Sequence, residues 1–146
     1  MDKPRVLLIE NNSTLGIIFS NGLPKCEILV MGCHESLPIN EKKIAEFNPD
    51  ILVTDHGLDG EGHKINGIKI LEAVKKINPK IHYFIRALPL EKTVRENLIK
   101  KGFLKEGRFF SKHTKETEFE KLFSGLCPNW YKILPSPEKI SGLFLF

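Results

Sequence analysis

The chain has 146 residues, of which 41% are hydrophobic, 27% charged and 9% aromatic. That is enough apolar material for one domain and too little chain for two of ordinary size, and its balance excludes collagen-like, coiled-coil and disordered readings. The net charge of +4 is unevenly placed: residues 1–73 hold 7 Lys and Arg against 11 Asp and Glu (net −4), and residues 74–146 hold 15 against 7 (net +8).

The first apolar run, residues 6–9, is too short for a signal-peptide core or a membrane span. Cys26, Cys33 and Cys127 form no CxxC pair, so neither a disulfide framework nor a zinc ribbon is suggested and a reducing, cytoplasmic setting fits best. Five short runs rich in Val, Ile and Phe, at 6–9, 27–31, 51–54, 81–85 and 108–111, read as strands covered on both faces. Helical patterns alternate with them. The first opens at Asn12, a capping residue, and Leu15, Ile18 and Phe19 are expected on its buried face. The second spans 39–47 and stops at Asn48-Pro49, and the third spans 65–77 and stops at Asn78-Pro79. A fourth is expected over 91–101, ended by Gly102, and a fifth over 117–126.

This alternation calls for a doubly wound α/β sandwich: a five-stranded parallel sheet with helices on both faces. We divide the chain into a domain at 1–126 and a C-terminal extension at 127–146, which carries Pro128, Pro135, Pro137, Trp130, Tyr131 and a final apolar run. Ligands of such sheets bind at the carboxyl ends of the strands. The polar residues expected there are Glu10, Asn11 and Asn12 after the first strand, Asp55 and His56 after the third, Arg86 after the fourth, and Ser111 and Lys112 after the fifth.

The layout resembles the CheY-like receiver domain of two-component response regulators over residues 4 to about 125. The segment Pro49-Asp-Ile-Leu-Val-Thr-Asp55 resembles the strand that ends in the phosphorylated aspartate. Phe109-Phe-Ser-Lys112 resembles the strand that ends in the family's lysine, with Phe109 at the aromatic switch position. Glu10 and Asn11 stand where the family has two acidic residues, and Asn66-Gly67 resembles the Asp-Gly that opens its third helix, displaced by a longer loop. The resemblance implies a flavodoxin-like sheet in the order 2-1-3-4-5, Asp55 as phosphoacceptor and Lys112 as its phosphate contact. It further implies a Mg²⁺ site at Glu10, Asn11, Asp55 and Gly57, and signalling to a histidine kinase or another signalling protein by protein contact.

Three positions depart from the family pattern. Arg86 replaces a Ser or Thr, Asn11 replaces a carboxylate, and His113 follows Lys112 where a proline is usual. Glu10 and Asp55 against Arg86 and Lys112 would make a site neutral without any metal, which weakens the case for Mg²⁺. Arg86 is compatible with two roles, gripping a phosphoryl group or pairing with Asp55 to lock the site. Two functions therefore stand open: a phosphoacceptor in a phosphorelay, or a phosphorylation-independent pseudo-receiver with a structural site. No nucleophile and base pair marks an enzyme. His56, His63 and Cys33-His34 lack metal-ligand spacing, and Gly57, Gly60 and Gly62 lack the lysine of a phosphate loop. Lys75, Lys76, Lys100, Lys101, Lys105 and Arg108 read as a solvated surface rather than a nucleic-acid interface.

Overall fold

The computed structural model describes residues 3–33, 38–56, 67–87, 96, 99–100, 108–111 and 114–126. The helix expected over 91–101, the Gly57 loop, Lys112 and the extension at 127–146 lie outside a continuous description.

Five parallel strands, β1 (Arg5–Ile9), β2 (Glu27–Met31), β3 (Ile51–Asp55), β4 (His82–Ala87) and β5 (Phe109–Ser111), form one sheet in the order β2-β1-β3-β4-β5. The helices are α1 (Ser13–Asn21), α2 (Glu41–Phe47), α3 (Gly67–Ile77) and α4 (Glu116–Leu126). Strand order and class are those expected from the sequence, while β4 begins and ends one to two residues later than its apolar run. Ile81 caps the core ahead of the strand, and Arg86 continues the strand because it is itself buried.

The period-two alternation of side chains divides the interior in two. Leu7, Ile9, Leu52, Tyr83 and Ile85 meet Ile44 of α2 and Ile68, Leu71 and Val74 of α3 on one face. Val6, Leu8, Ile51, Val53 and Phe84 meet Phe19 of α1 and Phe119 and Phe123 of α4 on the other. The second face is strongly aromatic: Phe119 lies edge-on to Phe19, Phe84 and Phe110, with ring centroids 5.7, 6.0 and 5.3 Å apart. Such pairs add direction to ordinary apolar burial.

Helix ends follow their sequence signals. The Asn12 side chain accepts the Leu15 N–H at 3.1 Å and Asn40 accepts the Lys43 N–H at 3.0 Å, each supplying an N-cap. Asn48 closes α2 in the left-handed region, φ 51°, which Asn tolerates better than most residues.

One expectation fails at α1. Phe19 is buried, but Leu15 and Ile18 are 42% and 52% exposed, and the other buried position is Gly16. The helix lies close to β2 at Gly16, where a Cβ would stand 2.8 Å from Val30 Cγ1. Close approach at a glycine therefore sets which stripe turns inward, and the larger aliphatics on either side turn out.

Candidate functional site

Register and alternation assemble the site before any side-chain contact is considered. Ile9 pairs with Thr54, so Glu10 follows β1 at the level of Asp55, and Asp55 pairs with Arg86. Glu10, Asp55 and Arg86 share the strand parity of Leu8, Val53 and Phe84, so all three stand on the α1/α4 side in one row across β1, β3 and β4.

The row is buried: Glu10 is 4% exposed, Asp55 1% and Arg86 5%. Arg86 Nη2 donates to Glu10 Oε2 at 3.0 Å and lies 3.2 Å from Asp55 Oδ1. One guanidinium nitrogen thus serves two carboxylates from two different strands. The guanidinium carbon sits 5.0 Å from the centroid of Phe19, so an aromatic ring of α1 lies against the cation. Glu10 Oε1 accepts the Asn12 N–H at 3.0 Å, tying the same carboxylate to the start of α1.

The structure brings together Glu10, Asp55 and Arg86 and sends Asn11 elsewhere. Asn11 Nδ2 donates to the Cys33 carbonyl at 2.9 Å, and its Oδ1 accepts the Cys33 N–H at 2.7 Å. This two-point clamp joins the exits of β1 and β2. Phe109 contributes its backbone to β5 opposite Ile85, and its side chain lies outside the described residues. Phe110 is partly buried against the core, its ring centroid 5.6 Å from that of Phe84. Gly57 and Lys112 lie outside the described residues.

Mg²⁺ requires near-octahedral oxygen coordination at about 2.0–2.1 Å. The inner oxygens of Glu10 and Asp55 are here joined by a guanidinium nitrogen, and the Asn11 carbonyl faces Cys33. This donor set does not fit the Mg²⁺ site expected at Glu10, Asn11 and Asp55: a fixed cation occupies the position between the carboxylates that a metal would need. Among the described residues, no cluster of three or more His, Cys, Asp or Glu side chains is placed to hold a metal ion.

The sequence reading named Gly67 at the opening of the third helix but not its packing, and it did not single out Glu120. Gly67 N–H donates to the His56 carbonyl at 3.1 Å, and a Cβ on Gly67 would lie 3.0 Å from the Asp55 carbonyl oxygen and 3.2 Å from His56 Cα. The start of α3 therefore rests directly on the end of β3, at a distance that suits glycine and crowds any Cβ. Glu120 of α4 is 6% exposed, and burial pushes its carboxyl up to about 7, with Lys25 pulling it down. Burial, reinforced by Glu120, also pushes the Cys26 thiol up to about 12, so Cys26 is no nucleophile near neutral pH.

Sheet order and helix placement agree with known structures. A response regulator receiver domain from Methanospirillum hungatei superposes with a TM-score of 0.67 at 12% identity, covering 90% of this chain and 98% of that one. The chain has the CheY-like receiver fold. The receiver domain of a putative response regulator NarL from Mycobacterium tuberculosis matches at TM-score 0.65 and 14% identity, covering 88% of this chain and 98% of that one. A receiver domain from Clostridium thermocellum matches at 0.61 and 17%, covering 90% and 99%. The sequence itself matches no protein-family profile and no curated protein. Within the receiver fold, the Arg86 bridge occupies the edge where the sequence pattern placed a phosphoacceptor.

Proposed function

We propose that this chain is a receiver-fold signalling module that acts by protein contact without metal-assisted phosphoryl transfer, its site being closed by a resident guanidinium. The fold supports a signalling role. The observation that carries the rest is Arg86 Nη2 lying 3.0 Å from Glu10 and 3.2 Å from Asp55, all three buried.

Asp55 as a nucleophile would need its carboxylate presented to a phosphodonor with a divalent ion beside it. Here the carboxylate is 1% exposed and its Oδ1 faces Arg86. A phosphoryl group arriving on Asp55 would have to separate a buried ion pair, and breaking such a pair costs about 3–5 kcal/mol. In a receiver that phosphorylation switches, modification shifts an equilibrium between two arrangements. In this chain the guanidinium holds one arrangement, and the partner, a kinase or another signalling protein, reads the surface that α4 and β5 present.

The test adds Mg²⁺ with beryllofluoride and follows backbone amide shifts of residues 10, 55, 56 and 86. The wild-type protein is expected to show no saturable shift at millimolar reagent. An adduct on Asp55 with Mg²⁺ bound would overturn this reading and support the phosphoacceptor, with Lys112 as its phosphate contact and a histidine kinase as donor. Replacing Arg86 by Thr opens the position between the carboxylates. That variant is expected to gain Mg²⁺-dependent shifts at Glu10 and Asp55.

A further inference from the structure

On the rim of the sheet opposite Arg86, a cleft of about 240 Å³ opens where α3 ends and β4 begins. Lys75 contributes from the last turn of α3, Lys80 from the following turn, Ile81 and Tyr83 from β4 and its approach, and Arg108 from the residue before β5. Among the described residues, its lining carries three cationic side chains and no carboxylate. Among the described residues, none of the three forms an ion pair with Asp or Glu.

Aromatic rings hold two of these cations in place. Lys75 Nζ stands 5.0 Å from the Tyr83 ring centroid, and the Arg108 guanidinium carbon stands 5.9 Å from the same ring and 5.1 Å from Phe84. Tyr83, only 6% exposed, gives the cleft a fixed floor, while Phe84, 1% exposed, steadies the Arg108 guanidinium from the other face of the sheet. A guanidinium laid against a ring keeps its N–H donors free at its edges, in the planar fork that suits phosphate oxygens. Like charges gathered in a concavity focus a positive field, and their mutual repulsion is relieved when an anion enters.

We propose that this cleft binds a small phosphate-bearing molecule with two or more negative charges. Charge count decides against a monocarboxylate, which would neutralise one cation of three. The volume lies below the ~300–1,000 Å³ of ordinary organic-ligand pockets, so the phosphate group and a short attached portion fill it. Ile81 and Pro79 supply an apolar wall for that portion.

The experiment titrates the full chain with inorganic pyrophosphate at low and matched ionic strength, following backbone amides of residues 75, 80–83 and 108. Saturable shifts confined to these residues are expected. Lys80→Gln, in an exposed turn, is expected to weaken binding about fivefold through the lost charge. Arg108→Lys keeps the charge but loses the fork and is expected to weaken it about tenfold. Absence of shifts at about 10 mM pyrophosphate, a concentration that would saturate even millimolar binding, would overturn the proposal. So would equal shifts at Lys42, Lys43 and Lys69, which mean general screening. Malonate binding as tightly as pyrophosphate would overturn the assignment to phosphate.

Discussion

Arg86 is held by its surroundings as much as by charge: two carboxylates from β1 and β3 and the face of Phe19. Arg86→Ala leaves Glu10 and Asp55 buried side by side without their shared cation, and is expected to destabilise the fold by about 3–5 kcal/mol in urea unfolding. Adding Glu10→Gln to that variant removes one of the two neighbouring carboxylates and should return part of the loss. Glu120 gives a pH signature. Its folded-state pKa, about 7, lies above the ordinary 4.5, so the native protein keeps a proton that the unfolded chain has released. Stability from this group is present below pH 4.5 and declines as pH rises toward 7. Glu120→Gln should flatten that decline and raise stability at pH 8 by about 1–2 kcal/mol. At residue scale the sequence exposed the main participants, because strand ends in a parallel sheet are countable: Glu10, Asp55 and Arg86 stand where expected. The turn of Asn11 toward Cys33 was not legible, since it depends on where the chain goes after β2.

At the scale of elements, contacts too close for a Cβ decide what the apolar pattern leaves open. The hydrophobic residues of α1 fit more than one helical stripe, and Gly16 against Val30 selects the one through Phe19. Gly67 does the same for α3. Because the atoms that a Cβ would meet are the backbone of Asp55 and His56, they cannot swing aside as a side chain would. Gly67→Ala is therefore expected to destabilise by about 1–3 kcal/mol despite alanine's higher helix propensity. Its amide shift changes should concentrate at residues 55 and 56. The strands, by contrast, were plain in the sequence, because continuous Val, Ile and Leu runs bounded by Asn-Pro stops leave little alternative for a doubly covered sheet. The boundary error at β4 has the same origin as the site: a buried arginine reads as a strand end when its partners are on other strands.

Across the whole molecule, the charge asymmetry of the two halves becomes spatial. Acidic Glu10 and Asp55 from the first half meet Arg86 from the second at the carboxyl rim, while Lys75, Lys80 and Arg108 gather at the amino rim. Local patterns could not reveal that gathering, because its members come from a helix end, a turn and the approach to a distant strand. The Glu10–Arg86–Asp55 row has one more consequence, for how the molecule opens. Strand ends beside binding loops are ordinarily the first parts of a sheet to fray. Here one side chain rivets three neighbouring strands at that rim, beside the His56 N–H that donates to the Arg86 carbonyl at 2.8 Å. In hydrogen–deuterium exchange the His56 amide should therefore exchange only when the whole domain unfolds. Arg86→Ala should release it through local opening, so that the rim breathes independently of the core.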